Sequence, residues 1–422
     1  MNATNRQISK SRSIVILHSS LTAVGGAERV AIEEARYFAG RCKTQLLTFR
    51  SNPKALLEHE GIPLRIIGGG GATDKGYNSP LSLLRRSISL ASALKRAKPD
   101  LVISCTTGGL YELFLATMVA PVPYVLHVHG TIFWFPEDVL KYSLVFRHAF
   151  NTVRQSVRGH AEFIAPTVRL GLWKRLRTEL KAILNYLAVK RAASVLVLSN
   201  HMKWEVMQLY RRDAVTLPLI LVPQSFIDFH PNASVREELG LSKDDQVVLS
   251  VSRLDPRKRL DLLVRSFSRL AEDLDNVVLV IIGEGSEESH LRNLSKELGV
   301  GEKVRFPGFV PENQLGKWYS ACDVFVYPGW SDFALTIVEA LAMGKKVVVS
   351  SEMDLDLGIT VKGRVFAADP EVHQFADTLR KALTESSTPE FRLEHLNEEK
   401  SLEALASLCE EIIASRGGEK SS

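Results

Sequence analysis

The sequence predicts an α/β protein with two doubly wound parallel sheets, one in each half of the chain. From residue 13 onward, short apolar runs rich in β-branched residues alternate with stretches of helical periodicity. This alternation stops at the turn-prone residues 223–231 and then starts again. A length of 422 residues with 45% hydrophobic content also indicates two cores. Because open α/β sheets bind ligands at the carboxyl ends of their strands, we expect the two sheets to face each other across a cleft.

The predicted strands are short and apolar, with helical patterns between them such as 28–38 and 81–97. In the front half they are 13–17, 45–48, 64–67, 101–104, 124–127 and 194–198. In the back half they are 247–251, 277–282, 304–306, 324–327 and 346–350. Residues 393–416 form a last helical pattern. We therefore expect a front domain over 1–222, a back domain over 223–392, and a C-terminal helix that returns to the front domain.

Cysteine usage and hydropathy exclude several classes of protein. The four cysteines are scattered and form no C-x-x-C pair, so neither a disulfide framework nor a zinc site is expected from their spacing. A reducing cytoplasm fits this pattern. The chain also has no uncharged apolar run of about 18 residues and no signal-peptide core. We expect a cytoplasmic protein that is at most peripheral on the inner face of a membrane.

Segment 141–191 is strongly basic in a chain of formal net charge +5. It contains eleven Lys or Arg residues against two acids, interleaved with apolar residues such as Trp173 and Leu176. One interpretation is a surface that lies on an anionic membrane. The other is a pair of core-packed helices whose outer face is basic. Nucleic acid is not an expected partner, because no stacking platform or binding motif accompanies the charge.

Two features of the front half lie where predicted strands end. Gly25 and Gly26 follow the first strand and open a helix, so a ligand can approach the helix N-terminus closely. His127 and His129 end another strand, and His129 is the preferred site residue because Gly130 frees the backbone beside it. Its imidazole can contact a sugar hydroxyl or a phosphate. A zinc site would need a third ligand, which the sequence alone does not offer.

The back half places two cations and one acid in positions suited to a nucleotide. Arg253 and Lys258 follow an apolar strand, and Glu339 lies one turn inside a helix that opens near Leu335. Cations and a helix N-terminus together can hold a diphosphate. A carboxylate can hold a ribose diol by accepting its hydroxyl protons.

Other motifs of the back half are weaker. Gly283-Glu-Gly285 follows the strongest predicted strand and can bring main-chain amides to a ligand, but Glu288 stands where the dinucleotide fingerprint needs a glycine. A nicotinamide enzyme is therefore disfavoured. Asp354-Leu-Asp356 is similar to the acidic pair of metal-dependent sugar transferases, although its place in a turn favours a solvated loop. Neither a metal nor another cofactor is expected, because lysine and arginine can neutralise the phosphate charge.

Five motifs of the back half occur in the order typical of one enzyme family. They are Ser252-Arg-Leu-x-x-x-Lys258, Ile281-Ile-Gly-Glu-Gly285, Val304-x-Phe-x-Gly308, Cys322-Asp-Val-Phe-Val-Tyr-Pro328 and Glu339-Ala-Leu-Ala-x-Gly344. With the front-half glycines and His129-Gly130, the chain resembles the retaining, nucleotide-sugar-dependent glycosyltransferases of family four, also called glycosyl transferases group one. The front half is more weakly similar to members that mannosylate lipid-linked oligosaccharides. The resemblance implies the two-domain GT-B fold.

The resemblance also implies site roles and an activity. Arg253 and Lys258 would bind the donor diphosphate and stabilise the leaving nucleotide, while Glu339 would hold the ribose. The backbone of Phe309 and Val310 would contact the base, and the amides of Leu335 and Thr336 would contact the phosphates. The loop with Gly25 and Gly26 would approach the phosphate or the acceptor. His129 would contact the donor sugar. The implied reaction moves a hexose, with mannose favoured, from a nucleoside diphosphate sugar to a glycan or lipid-linked acceptor with retention of configuration.

Two departures from the family pattern leave an alternative open. The family usually has a second acid eight residues before Glu339, where this chain has Ser331, and its usual glycine is replaced by Ala334. Asp332 is adjacent to Ser331 and is the candidate substitute for the missing acid. The alternative function is a non-catalytic nucleotide-sugar-binding subunit of a glycosyltransferase complex. A GT-B epimerase or phosphorylase is less favoured, because no cofactor-lysine motif is visible.

Overall fold

The computed structural model describes most of the chain. The described residues are 8–21, 26–51, 63–67, 79–105, 109–130, 143–156, 171–217, 222, 226, 229, 235–330, 334–353, 363–385 and 398–418. They form two compact α/β units, each with its own parallel sheet. The last helix of the chain belongs to the first unit.

The first unit contains a parallel sheet of seven strands. These are β1 (Ser13–His18), β2 (Lys43–Thr48), β3 (Leu64–Ile66), β4 (Leu101–Ser104), β5 (Tyr124–Val128), β6 (Ser194–Val197) and β7 (Val215–Thr216). Their order in the sheet is β3-β2-β1-β4-β5-β6-β7. Strand β1 lies between β2 and β4, with Ile14 paired to Thr44 on one side and Leu101 on the other. Strands β1 to β3 follow one another toward one edge of the sheet, and β4 to β7 follow one another toward the other edge. Ligands of such sheets bind at this switch point between β1 and β4.

The helices of the first unit connect these strands. They are α1 (Gly26–Ala39), α2 (Pro80–Ala97), α3 (Leu110–Val119), α4 (Arg147–Ser156), α5 (Leu172–Arg191) and α6 (Asn200–Tyr210). Local sequence explains where α2 begins and ends. The Ser79 side chain accepts a hydrogen bond from the Ser82 amide at 3.1 Å, and Pro80 follows at the first helical position. The helix ends at Lys98, which adopts the left-handed conformation.

The C-terminal helix (Glu398–Gly418) packs against the core of the first unit. Leu405 and Cys409 are fully buried there with residues of β1 and α1. Glu410 forms an ion pair with Arg12, with 2.6 Å between the guanidinium nitrogen and the carboxylate oxygen. The end of the chain therefore folds as part of the unit that contains its beginning.

The second unit contains a parallel sheet of six strands. These are β8 (Gln246–Val251), β9 (Val277–Ile282), β10 (Val304–Gly308), β11 (Val324–Tyr327), β12 (Lys346–Ser350) and β13 (Val365–Ala368). Their order is β10-β9-β8-β11-β12-β13, so β8 and β11 form the switch point. All six residues of β9 are buried, which explains why this strand has an uninterrupted apolar sequence.

The helices of the second unit cover its sheet. They are α7 (Val235–Glu238), α8 (Leu260–Asp273), α9 (Glu288–Glu297), α10 (Glu312–Ala321), α11 (Leu335–Ala342) and α12 (Val372–Thr384), with short 3₁₀ turns at Pro256–Lys258 and Gly301–Lys303. The buried face of α8 includes Leu263, Phe267 and Leu270, which pack on the sheet with Phe375 of α12. The prediction of two doubly wound sheets is confirmed. The prediction omitted β7 and β13, which are short strands at sheet edges.

Candidate functional site

Two loops meet at the carboxyl edge of the second sheet. Gly283 follows β9 with φ +133°, and a Cβ atom at that position would lie 1.9 Å from the carbonyl oxygen of Ser252. A Cβ atom on Gly285 would lie 2.2 Å from the carbonyl oxygen of Leu254. Both distances are far shorter than a van der Waals contact. Glycine is therefore required here for the packing of the loop after β9 against the loop after β8.

Backbone hydrogen bonds fix the same two loops. The Ser252 amide donates to Ile282 at 3.1 Å, and the Leu254 amide donates to Glu284 at 2.9 Å. The Gly283 amide donates to the Gly308 carbonyl at 2.9 Å. Because the Gly283 amide already donates to Gly308, the structure shows Gly283 in loop packing. A direct contact between Gly283 and a ligand stays a prediction. These bonds hold the loop after β8, which contains the predicted cations.

The cations of that loop have different environments. Arg257 forms an ion pair with Asp255 at 3.0 Å, and Arg259 is buried in an ion pair with Glu352. Arg253, in contrast, is exposed, and its guanidinium forms no ion pair with an acid in the described part of the chain. An arginine of this kind on a fixed loop can bind an anion without first breaking an ion pair.

Lys258 is held by a tyrosine from the neighbouring strand. Its Nζ donates to the Tyr327 hydroxyl oxygen at 2.6 Å and lies 5.1 Å from the centre of the ring. Tyr327 is the last residue of β11, so the contact joins the two strands of the switch point. The predicted phosphate-binding lysine therefore lies at the carboxyl edge of β8 and β11. Sequence reasoning did not identify Tyr327 as its partner.

Glu339 is a buried acid on α11. It is 1% exposed, and its Oε2 accepts a hydrogen bond from the Tyr319 hydroxyl at 2.8 Å. Tyr319 comes from α10 and packs its ring against Phe226 and Phe325. The structure thus fixes the orientation of the predicted ribose-binding carboxylate. Sequence reasoning missed Tyr319, because nothing in the local pattern relates residues 20 positions apart on two helices.

The N-terminus of α11 follows β11 in the chain. Ala334 occupies the N-cap and provides no side-chain acceptor for the first helical amides. Leu335 is buried, and the Thr336 hydroxyl oxygen is buried without a hydrogen-bond partner among the described residues. This helix start has the polarity that favours an anion.

Phe309 and Val310 follow β10 at the same edge of the sheet. Gly308 has φ +80°, which turns the chain there, and α10 begins two residues after Val310. Phe309 is 61% exposed, the highest value among large hydrophobic residues described in the second unit. An exposed aromatic ring at this position is suited to contact with a planar ligand.

A buried polar cluster lies at the carboxyl edge of the first sheet. Glu34 of α1 is fully buried, and its Oε1 lies 2.6 Å from His127 Nδ1 and 3.7 Å from His129 Nε2. Cys105, directly after β4, donates its thiol proton to Glu34 Oε2 at 3.0 Å. The cluster therefore joins the ends of β4 and β5 to the helix that follows β1. The His129 side chain is 2% exposed, and its predicted contact with a donor sugar stays a prediction.

The charges of this cluster shift its pKa values. Burial raises the pKa of Glu34, but the charge and hydrogen bond of His127, together with the nearby His129, outweigh burial and lower it below its ordinary value. Burial, followed by the charge of His127, lowers the pKa of His129. Burial, followed by the charge of Glu34, raises the pKa of Cys105 well above its ordinary value. These shifts favour the charged form of Glu34 and the uncharged forms of His129 and Cys105.

The fold gives His129 neighbours that residue spacing does not suggest. Glu34 and Cys105 lie near it, with one ligand atom of each of the three residues within 4.8 Å of the others. Glu34 lies on α1 and Cys105 directly follows β4, so both are far from His129 in the chain. Their proximity depends on the order of the strands in the sheet, which residue spacing does not reveal.

Several predicted positions lie outside the described residues. They are Gly25, Ser331, Asp332, and the pair Asp354 and Asp356. Gly26 is described and is the first residue of α1.

Helix α5 exposes an apolar stripe. One face packs inward through residues such as Ala182 and Val189, while the opposite face leaves six large apolar side chains in solvent. These are Leu172, Trp173, Leu176, Leu180, Ile183 and Leu187, with Trp173 83% exposed. The outer face of α5 therefore presents apolar side chains as well as basic ones. Among the described helices, none is long and apolar enough to span a bilayer.

Two family models match the chain on either side of residues 220–231. The model for glycosyl transferases group 1 matches residues 232–398, and the model for glycosyltransferase family 4 matches residues 24–219. The chain belongs to this family of glycosyltransferases. The resemblance deduced from the back-half motifs is thereby confirmed.

Curated relatives match parts of this family-four glycosyltransferase. An uncharacterized glycosyltransferase of Methanocaldococcus jannaschii is 31% identical over 175 residues, which are 40% of this chain and 45% of that protein. D-inositol 3-phosphate glycosyltransferase 2 of Catenulispora acidiphila is 32% identical over 158 residues, 35% of this chain and 37% of that protein. The chain spans less than half the length of these relatives.

Solved structures match nearly the whole family-four chain. HepE of Anabaena, solved in complex with UDP-glucose, has a TM-score of 0.63 at 19% identity and covers 97% of this chain and 99% of its own. Sucrose-phosphate synthase from Thermosynechococcus elongatus has a TM-score of 0.67 at 16% identity and covers 97% and 98%. These likenesses show the GT-B fold class.

Proposed function

We propose that this chain transfers a hexose from a nucleoside diphosphate sugar to a glycan or lipid-linked acceptor with retention of configuration. The observation that carries the proposal is the arrangement at the switch point of the second sheet. There Arg253 has no acidic partner among the described residues, and Lys258 is fixed by Tyr327 at the end of the adjacent strand. Family membership makes a sugar donor the natural ligand of such an anion site.

The chemistry that we propose is stabilisation of the leaving diphosphate. As the bond between the sugar and the diphosphate breaks, negative charge develops on the leaving oxygen. Arg253, Lys258 and the start of α11 would stabilise that charge, and Glu339 would hold the ribose. We propose that the transfer needs no metal, because two cations and a helix N-terminus supply the positive charge.

The relatives support a hexose donor without fixing the sugar. A mannosylfructose-phosphate synthase of Agrobacterium fabrum is 33% identical over 145 residues. The HepE structure contains UDP-glucose, so the sugar varies among proteins similar to this one. We favour mannose because of the front-half similarity to mannosyltransferases.

Proton NMR of donor mixtures tests the activity. The purified chain is incubated with GDP-mannose, UDP-glucose and UDP-N-acetylglucosamine, together with a lipid extract and short glycans as acceptors. We expect one donor to lose its anomeric signal while a product signal of the same anomeric configuration appears. Arg253→Ala should lower this rate at least tenfold. The matched control is Arg269→Ala, which changes an exposed arginine of α8 in the same unit.

The same experiment separates the alternative function. Donor binding without loss of any anomeric signal would favour a non-catalytic nucleotide-sugar-binding subunit, for which Ser331 in place of the usual acid is the motivating observation. A product of opposite anomeric configuration would contradict retention. Absence of both binding and turnover would contradict the whole proposal.

We further propose that the exposed face of α5 contacts an anionic membrane on the cytoplasmic side, where a lipid-linked acceptor would be found. Lys174, Arg175 and Arg177 are exposed beside Trp173 and Leu176. Apolar side chains that enter a lipid surface, flanked by cations that attract anionic headgroups, are typical of peripheral membrane helices.

A further inference from the structure

The buried cluster of the first unit brings three types of donor atom together. Glu34 comes from α1, Cys105 follows β4 and His129 follows β5. One ligand atom from each residue lies within 4.8 Å of the others. We propose that Glu34, Cys105 and His129 form a binding site for a divalent transition metal, with zinc as the expected ion.

The donor set points to this class of metal. A carboxylate oxygen, a thiolate sulfur and an imidazole nitrogen are all common zinc ligands. Calcium and magnesium prefer oxygen ligands alone, so the sulfur of Cys105 disfavours them. The set is also compatible with cobalt, which is a spectroscopic substitute for zinc at such sites.

The charges of the site suit its burial. The side chains of Glu34 and Cys105 are fully buried, and that of His129 is 2% exposed. A divalent cation with one carboxylate, one thiolate and one neutral imidazole has no net charge. A neutral assembly avoids the large desolvation cost of an isolated buried charge.

The His129 ring can give one nitrogen to a metal. Neither of its nitrogens meets hydrogen-bond distance and angle with a described residue, although the Ala27 backbone lies near enough to raise the pKa of the ring. Its Nε2 lies 3.7 Å from Glu34 Oε1, beyond hydrogen-bonding distance. His127, which lies 2.6 Å from the same carboxylate oxygen, would orient that ligand from outside the metal.

Metal binding requires a small contraction and the loss of one proton. Ligand atoms of a tetrahedral zinc site lie about 3.3–3.8 Å apart, so a pair at the present limit of 4.8 Å would have to approach by about 1 Å. The thiol proton of Cys105, now donated to Glu34, would pass to solvent as the sulfur–metal bond forms. No bond changes order and no electron is transferred.

Cobalt absorption and metal analysis test the site directly. The full chain is stripped with a chelator in a thiol-free reductant, loaded with Zn²⁺ or Co²⁺ and desalted. We expect one equivalent of metal, and for cobalt a near-ultraviolet charge-transfer band that arises from a thiolate ligand. Cys105→Ser should remove that band and weaken binding at least tenfold. Cys322→Ser, which changes a buried thiol in the second unit, should retain both.

A second variant and a folding control keep the test decisive. His129→Gln should weaken binding at least tenfold while leaving the sulfur band weak but detectable at high cobalt concentration. Circular dichroism must show that each variant is folded. Absence of metal uptake by the wild-type chain, or a sulfur band that persists in folded Cys105→Ser, would overturn the proposal. These readouts do not depend on sugar transfer, so the proposed function can fail while the metal site stands.

Discussion

Gly283 lies against Ser252 so closely that even a methyl side chain has no room between them. The missing Cβ would lie 1.9 Å from the Ser252 carbonyl oxygen, and Gly283 has φ +133°. This contact fixes the loop after β8 against the loop after β9. The exposed Arg253 directly follows Ser252, so the same contact determines where the predicted phosphate-binding cation lies.

Gly283→Ala should therefore destabilise the second unit strongly. Both the backbone conformation and the clash with Ser252 oppose a side chain, and we expect a loss of at least about 3 kcal/mol in the free energy of unfolding. Gly299→Ala is the matched control, because Gly299 also has positive φ, +72°, but nothing lies within 4 Å of its missing Cβ. The control should lose about 1 kcal/mol. Urea denaturation measures both, and equal losses would argue against the loop contact.

Tyr319→Phe tests how Glu339 is held. The substitution removes the hydroxyl that donates to the buried carboxylate and leaves the aromatic packing in place. Because removing one partner of a buried hydrogen bond leaves the other partner without it in the interior, we expect a loss of about 1–3 kcal/mol in the free energy of unfolding. An unchanged free energy of unfolding in denaturant titrations would show that the bond contributes nothing.

The buried thiol of Cys322 predicts a dependence of stability on alkaline pH. Burial raises its pKa from 9.0 to about 12. Above pH 9 the thiol ionises in the unfolded chain while it stays protonated in the folded one, so stability is lost as the pH rises. At pH 10 this linkage should cost about 1.4 kcal/mol. The difference in free energy of unfolding between Cys322→Ala and wild type should shift by that amount between pH 8 and pH 10, and a constant difference would contradict it.

The exposed stripe of α5 predicts selective binding to anionic vesicles. The wild-type chain should sediment with phosphatidylglycerol-containing vesicles, less so at high salt, and not with pure phosphatidylcholine. Leu176→Glu should reduce the bound fraction severalfold, because it adds an acid within the apolar face. Met207→Glu is the control, since Met207 is an exposed apolar residue of α6 in the same unit. Equal effects of the two substitutions would contradict a role for the stripe.

Much of the fold could be predicted because parallel strands have a clear local signature. The predicted strands at 101–104 and 277–282 match β4 and β9 residue for residue, since both are fully buried and, apart from Ser104, apolar. Strands β7 and β13 were missed for physical reasons. The first has two residues and is partly exposed, and the second contains two alanines, which have low strand propensity.

The candidate sites were predictable in part. Arg253, Lys258 and Glu339 could be found because they lie in motifs next to strong strand and helix patterns. Their partners Tyr327 and Tyr319 could not, because these contacts arise when separate strands and helices pack. Glu34 was missed for the same reason, since an acid on an apolar helix face gives no sign of the histidine that it meets.

Calorimetric titration with GDP and UDP tests the central claim that the second unit binds a nucleoside diphosphate through Arg253. We predict saturable 1:1 binding of at least one of the two nucleotides to the wild-type chain. Arg253→Ala should weaken it by about tenfold to a hundredfold, as expected for loss of a charged hydrogen bond, while Arg269→Ala leaves it unchanged. Absence of binding to either nucleotide, or equal affinities of Arg253→Ala and wild type, would contradict the account.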